Sequence, residues 1–216
     1  MKKYKVIDIS WPINQNTVEY KNKGALKFDA VKDIHTDGVA QTHVSLDMHT
    51  GTHIDAPAHF SRGGATVDQV PFDHLISECK VFDLTGTEEN LAAEKISASD
   101  LQKLDIQEND IVLFKTKNSE LPAQGQFDPN FVYLDKTAAQ YLASKKIKTV
   151  GIDYLGIERA QPEHETHKIF FQANITIIEG LRLGDVSPGK YFLICLPVKF
   201  EGVEAALSRA VLLDFV

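Results

Sequence analysis

The feature that most constrains the fold of this 216-residue chain is the stretch 49–60, which reads HTGTHIDAPAHF. Three histidines and one aspartate lie in it, at His49, His53, Asp55 and His59. The first two histidines have the i, i+4 spacing of a helical zinc motif. Glycine, β-branched threonines and a proline in the same stretch disfavour a helix. We therefore expect a turn that leaves a strand, in which a bent backbone lets these side chains converge.

The side chains of this stretch are typical metal ligands. Imidazole nitrogens and a carboxylate suit zinc, manganese or iron(II), and the stretch offers no thiolate. A single histidine is more often a surface residue or a hydrogen-bonded core residue, but four such groups in one segment favour a metal site. A purely structural zinc site is the stronger alternative, yet such sites are mostly closed and rich in cysteine. The stretch therefore predicts an open, catalytic metal site.

Charge and composition restrict the partners. The formal net charge is −7, which disfavours a nucleic-acid partner, because proteins that bind nucleic acids present a basic face. The two cysteines, Cys79 and Cys195, are far apart and belong to no motif, so a reducing compartment is expected. No apolar signal segment follows the N-terminus, and the longest apolar run, 191–198, is too short to cross a membrane. We predict a cytoplasmic protein of one domain, residues 1–216, that acts on a small molecule without a membrane or nucleic-acid partner.

Short apolar segments with strand character recur along the chain. They lie at 4–9, 26–28, 41–48, 80–84, 111–115, 149–152, 175–178, 191–198 and 208–215. Residues 13–38 are polar and are expected to form a long loop around the second of these segments. Ser97, with Asp100 three residues later, predicts a capped short helix. Asp135 predicts the start of a helix over 136–146, and a third helix is expected near 163–172.

The order of these segments predicts the fold class. In the middle of the chain strands alternate with helices, as in parallel sheets, whereas the last strands follow one another closely, as in hairpins. We therefore predict an α/β fold that mixes parallel and antiparallel strands.

A second set of candidate ligands lies in the C-terminal half. Glu179 ends the apolar segment 175–178 and precedes a glycine, and a carboxylate at the end of a buried strand is costly unless it is paired or bound to a metal. The stretch 163–167 reads EHETH. For Glu163 and Glu165 a solvated helix start is the better interpretation, whereas His167 remains a candidate ligand.

The stretch 49–60 resembles the signature of the Putative cyclase family, which includes bacterial kynurenine formamidases and isatin hydrolases. The resemblance extends over nearly the whole chain and includes the segments 8–10 (DIS), 70–71 (VP), 150–154 (VGIDY), 178–181 (IEGL), 195–197 (CLP) and 209–211 (RAV). It implies a metal-dependent hydrolase with a swivelling β/β/α-type domain that assembles as a homodimer or homotetramer.

The resemblance also implies roles for individual residues. His49, His53 and Asp55 match the ligands of a first metal ion, with Asp55 bridging to a second. His167 and Glu179, twelve residues apart, match the remaining ligands of the second ion. By the same match His59 is the acid/base residue, while His164 falls out of register. The implied cofactors are two divalent ions per chain, zinc first and manganese as the alternative.

The segment that shapes the substrate pocket departs from the family. Formamidases carry a Trp-Pro-Gly-like segment after the first strand, whereas residues 19–22 here read EYKN. Tyr20 keeps an aromatic ring and is a candidate substrate-binding residue. Trp11 or Phe60 could supply further aromatic walls, although ordinary core packing is the better interpretation of Trp11. Lys21 could pair with a substrate carboxylate.

These features favour a hydrolase of an amide C–N bond, of the arylformamidase type that converts N-formylkynurenine to kynurenine and formate. The alternative is a hydrolase of a cyclic amide such as isatin or a cyclic imide. An alternative of another class is a non-catalytic, metal-stabilised binding protein.

Overall fold

A computed structural model of the chain describes residues 3–86 and 94–215. Its strands are β1 (Tyr4–Asp8), β2 (Lys27–Lys32), β3 (Gln41–Ser45), β4 (His53–Asp55), β5 (Ile76–Asp83), β6 (Lys95–Ile96), β7 (Ile111–Lys115), β8 (Tyr133–Leu134), β9 (Thr149–Ile152), β10 (Thr176–Glu179), β11 (Gly189–Pro197) and β12 (Ala205–Phe215). Its α-helices are α1 (Ile34–Asp37), α2 (Ala98–Leu101), α3 (Lys136–Lys145) and α4 (Glu165–Gln172). Short 3₁₀ helices lie at Tyr20–Asn22, Pro57–His59, Val67–Gln69, Phe72–His74 and Lys117–Glu120.

Eight strands form one mixed sheet in the order β1-β12-β11-β5-β7-β9-β10-β4. Strands β5, β7, β9 and β10 are parallel neighbours, and the other pairings are antiparallel. The first three residues of β12 also pair with β4, so the sheet closes on itself. The predicted α/β fold with both strand orientations is therefore confirmed.

The central strands β7, β9 and β10 are buried on both faces by two apolar clusters. Along β7, Ile111 and Leu113 belong to the cluster that the closed sheet surrounds. Val112 and Phe114, which point to the opposite face, pack with residues of α3 and α4. A strand with apolar residues on both faces is typical of a parallel sheet covered by helices. None of the helices in the described ranges is both long and apolar enough to cross a membrane.

The predicted helix starts are confirmed. The Ser97 backbone N–H donates to the Asp100 carboxylate at 2.8 Å, which forms the capping box of α2. The Asp135 carboxylate accepts the N–H groups of Thr137 and Ala138 at the start of α3.

Residues 27–45 form an exposed arm rather than the long loop and the longer third strand that we expected. Strands β2 and β3 pair only with each other, and α1 lies in their connection. Every residue of these three elements is exposed, including Phe28, Val31 and Val44. The alternation of apolar and polar residues at 41–48 therefore belongs to an isolated two-stranded ribbon and not to a strand of the main sheet. An isolated two-stranded ribbon is only marginally stable in water.

The stretch 49–60 differs from the expected turn in one respect. His49 lies in a turn, but His53–Asp55 form strand β4, inserted between β10 and β12. Because side chains alternate along a strand, His53 and Asp55 point to one face while Ile54 packs in the core. In the register of β4 with β10, His53 lies directly opposite Glu179.

Gly180 allows the end of β10 to approach this stretch closely. Its φ is +69°, and a Cβ atom there would lie 2.2 Å from the carbonyl oxygen of Gly51. The hydroxyl of Thr52 donates to the Gly180 carbonyl at 2.6 Å, which joins the two segments. The close backbone approach brings Glu179 beside His53.

We expect Gly180→Ala to destabilise the protein more than Gly38→Ala. Both glycines have φ near +69°, so each substitution costs about 1–2 kcal/mol for a left-handed alanine. At Gly180 the added methyl group would also collide with backbone atoms, and this overpacking adds roughly 1–3 kcal/mol. At Gly38 the methyl group would enter open space and adds no such cost. Urea unfolding of the two variants measures the difference, and equal losses would contradict this account of the packing.

Candidate metal centre and active site

Two histidines alternate with two carboxylates in a buried ring formed by His53, Asp55, His167 and Glu179. His53 Nε2 lies 3.4 Å from Asp55 Oδ1 and 3.4 Å from Glu179 Oε2. His167 Nε2 lies 3.6 Å from Asp55 Oδ2 and 3.5 Å from Glu179 Oε1. We call these four residues the donor ring. Each of its imidazoles faces both carboxylates.

Three different elements supply the donor ring. Strand β4 carries His53 and Asp55, β10 ends with Glu179, and His167 lies in the first turn of α4. The Gly51 carbonyl lies 2.9 Å from His53 Nδ1, so this nitrogen donates and Nε2 is left to face the ring.

His49 and His59 lie next to the ring. His49 Nδ1 is 3.0 Å from Asp55 Oδ1. The two oxygens of Asp55 thus face different groups, Oδ1 facing His49 and His53, and Oδ2 facing His167. His59 belongs to the 3₁₀ helix after β4, and its ring centroid lies 4.3 Å from that of His49 and 5.9 Å from that of His167. All the residues to which the family resemblance gave a role in metal binding or acid/base chemistry therefore lie in one place.

The buried polar atoms of the ring fit a bound cation. His53 Nε2 and Asp55 Oδ1 are both inaccessible to solvent, and neither has an aligned hydrogen-bond partner among the described residues. Burying such atoms without a partner is costly. The donors are imidazole nitrogens and carboxylate oxygens, the ligand types that zinc and manganese accept.

The ring balances negative charge against histidine. Burial lowers the pKa of His53, but the carboxylates of Asp55 and Glu179 outweigh burial and raise it to about 9. Burial raises the pKa of Asp55, but the surrounding histidines hold it well below its usual range. Burial and Asp55 raise the pKa of Glu179, whereas His167 and His53 bring it down to about 2. The two carboxylates thus stay ionised, and their mutual repulsion has to be offset by positive charge between them. Protons on the histidines or a metal cation can provide this charge.

A cavity of about 610 Å³ opens onto the donor ring. Its lining includes Asp55, His59, His167 and Glu179. Tyr20 and Phe60 form aromatic parts of the wall, and Tyr20 is held by an edge contact with Phe127, whose ring centroid is 5.0 Å away. A cavity of this size admits a small molecule that carries one aromatic ring.

Trp11 is not part of the cavity lining. Its side chain is buried against Tyr154, and its indole N–H donates to the Ala123 carbonyl at 3.0 Å. The suggestion that Trp11 supplies a wall of the substrate pocket is therefore wrong, and core packing is the correct interpretation.

The structure adds two carboxylates that the sequence did not identify. Glu158 is buried beside His164 and His167, and Glu204 Oε1 lies 3.5 Å from His49 Nε2. Glu158 ends the mostly apolar run 154–158. As for Glu179, a carboxylate at the end of a buried segment needs a partner, and this signal could have identified Glu158 from the sequence. No local signal marks Glu204.

Comparison with known proteins identifies relatives along the whole chain. The family model described as Putative cyclase matches residues 7–159, which include the stretch 49–60 but end before His167. The kynurenine formamidase of Salinibacter ruber is 30% identical over 212 residues, 97% of each chain. The kynurenine formamidase of Bacillus anthracis is 26% identical and aligns with 98% of this chain and 99% of its own. Cyclase-like protein 1 of Oryza sativa subsp. japonica is 33% identical over 80% of this chain, and the match spans 64% of the rice protein.

Solved structures agree with these matches. A protein described as a potential metal-dependent hydrolase with cyclase activity is 44% identical over 99% of this chain and 100% of its own, with a TM-score of 0.87. An isatin hydrolase bound to the product analogue thioisatinate has a TM-score of 0.84 at 22% identity, covering 99% of this chain and 93% of its own, which supports the fold. The family model and the 30% identical relative show that the chain belongs to the Putative cyclase family.

Proposed function

We propose that this protein is a metal-dependent hydrolase of an amide C–N bond and that an arylformamide is its substrate. The observation that carries the proposal is the convergence of five nitrogen and oxygen donors beside a cavity of about 610 Å³. The donors are His49, His53, Asp55, His167 and Glu179. They would hold up to two divalent ions, zinc or manganese. An adjoining cavity is expected for a catalytic site and not for a closed structural zinc site.

The residues around the donors have distinct tasks. A divalent cation held by these donors would polarise a carbonyl group as a Lewis acid and would make water more acidic. His59 lies on the cavity side of the ring, and burial lowers its pKa, although Asp55 partly opposes this. A neutral imidazole is then available near pH 7 to take a proton from water and to pass one to the leaving nitrogen.

Two side chains of the cavity wall support a substrate with an aromatic ring and an anionic group. Tyr20 offers its ring, and the Lys21 ammonium lies 5.1 Å from the centroid of that ring. The neighbouring Lys23 pairs with Asp47 at 2.7 Å, whereas Lys21 has no ion pair with any residue in the described ranges. Lys21 and Asn22 both have positive φ, and Asn22 is fixed by accepting the N–H of Phe127 at 2.8 Å.

The first candidate substrate is N-formylkynurenine, because relatives that align along nearly the whole chain, at 26–30% identity, are kynurenine formamidases. The alternative is a cyclic amide such as isatin. An activity screen of the metal-loaded protein tests both, with N-formylkynurenine, simple formanilides, isatin and cyclic imides. We expect formamide cleavage. Turnover of isatin or an imide alone would favour the alternative, and a metal-loaded protein without any turnover would favour a binding protein.

We expect Tyr20→Ala and Lys21→Ala to weaken substrate recognition in different ways. Tyr20→Ala should lower kcat/KM for every aryl formamide, since each has a ring. Lys21→Ala should raise KM for N-formylkynurenine by roughly 2- to 13-fold, as expected for loss of a hydrogen bond worth about 0.5–1.5 kcal/mol. The same substitution should leave the KM for formanilide unchanged, because formanilide has no carboxylate. Lys117→Ala, at an exposed lysine outside both the cavity lining and the arm of residues 27–45, is the matched control. Equal losses on both substrates would argue against a carboxylate contact.

We also propose a cytoplasmic homodimer or homotetramer. The exposed β2–β3 arm carries Phe28, Val31 and Val44, whose apolar surface a second copy could cover. Light scattering at assay concentration tests this, and a fully active monomer would refute it.

A further inference from the structure

Glu158 is a buried carboxylate behind the donor ring, outside the set of predicted metal ligands. Its Oε1 lies 2.6 Å from His164 Nδ1 and 3.0 Å from His167 Nδ1. Its Oε2 accepts the backbone N–H of His167 at 3.2 Å. A single carboxylate thus contacts the backbone and the ring of one candidate metal ligand and the ring of a second histidine.

The contact with His167 affects which of its nitrogens can bind a metal. Nε2 faces Asp55 and Glu179 and must carry an unprotonated lone pair to act as a ligand. The ring proton then lies on Nδ1, which is 3.0 Å from Glu158 Oε1 but is not aligned with it as a hydrogen bond in this conformation. A small rotation of either side chain would let the carboxylate accept this proton. Carboxylates that hold metal-bound histidines in this way commonly orient the ring and increase its basicity.

Glu158 also replaces a missing helix cap. His164, which occupies the N-cap position of α4, has φ +53° and makes no side-chain cap hydrogen bond. Glu158 instead accepts the N–H of His167, the third residue of α4, as a capping side chain would. The position and the ring orientation of His167 therefore depend on the same carboxylate.

We propose that Glu158 is a positioning residue that fixes the backbone and the tautomer of His167, so that Nε2 is presented to a divalent cation in the donor ring. This inference rests on the proposed metal site. His164 contributes to the cavity wall, where it stacks on Phe60 with ring centroids 4.4 Å apart, and it is not needed for the effect on His167.

Glu158→Gln tests the proposal because it keeps the shape of the side chain. Its amide can still accept the His167 backbone N–H, but the NH₂ group then faces Nδ1 and favours the tautomer with the proton on Nε2. We expect zinc affinity, measured by competition with a chromophoric chelator, to fall about 10–100-fold. We also expect the visible absorption spectrum of the cobalt(II) protein to change, because the ligand set changes. Glu158→Asp, which keeps an acceptor, should recover part of the affinity.

Two further variants are controls. Glu163→Gln makes the same charge change at an exposed position near α4 and should leave affinity and spectrum unchanged. His164→Gln should do the same, because the contact between Glu158 and His167 remains.

A Glu158→Gln variant with unaltered zinc affinity and cobalt spectrum, and only a lower melting temperature, would make Glu158 a helix cap and overturn the proposal. If His164→Gln lost as much affinity as Glu158→Gln, the proposal would also fail. A wild-type protein that binds zinc but hydrolyses no amide would refute the proposed function while the role of Glu158 stands.

Discussion

Replacing His53 with alanine is expected to abolish metal binding and hydrolysis together. The His53 side chain is fully buried, and its Nε2 lies 3.4 Å from both an Asp55 oxygen and a Glu179 oxygen. Without this imidazole the donor ring loses one ligand, and two buried carboxylates face each other with less compensating charge. Elemental analysis of protein purified without chelator, together with an activity assay, measures both effects.

His43→Ala is the matched control for this variant. His43 lies on the exposed strand β3 and does not line the cavity, so its loss should leave the metal content unchanged. Circular dichroism of both variants establishes that they are folded. Full metal content in folded His53→Ala protein would show that His53 is not a ligand.

His59→Ala is expected to keep the metal and to lose rate. The His59 ring faces the cavity beside His49, and the neutral form of a general acid/base residue typically contributes about 10²–10⁴-fold to the rate. We therefore expect kcat to fall by that factor while the metal content stays at the wild-type value. Loss of metal in His59→Ala as well as in His53→Ala would make His59 a ligand instead.

The pH dependence gives a second test of His59. Because burial lowers its pKa, the neutral, proton-accepting form persists to a pH below the usual range of histidine. A cation bound near Asp55 shifts the pKa in the same direction. Wild-type kcat should fall on the acidic side as pH drops through this lowered value, and His59→Ala should lack that acidic limb. An unchanged pH profile in the variant would assign the limb to another group.

The sequence predicted the fold class because its signals were local. The segment 149–152 is a strand with the predicted bounds, and Asp135 starts α3 as its capping role implies. The candidate ligands came from residue type together with the family resemblance, and the fold brings all of them together. What spacing alone did not show is the register that sets Glu179 opposite His53.

Other features of the fold and of the site depend on contacts between residues distant in sequence, so local sequence patterns could not predict them. Strand β4 has three residues, too few for a recognisable period, and it is a strand because β10 and β12 pair with it. The strand predicted at 41–48 is a strand only over Gln41–Ser45, and local sequence did not show that it pairs with β2 in an exposed arm. The role of Glu158 could not be predicted locally, because its contact with His167 forms only when α4 packs against it.

The most direct test of the metal centre is anomalous diffraction at the zinc edge from crystals of zinc-loaded protein. We expect one or two anomalous peaks between His49, His53, Asp55, His167 and Glu179. Each peak should lie about 2.0–2.2 Å from at least one imidazole nitrogen and one carboxylate oxygen. A cavity without an anomalous peak, with the histidines and carboxylates of the ring hydrogen-bonded to one another and zinc found only on the surface, would contradict it.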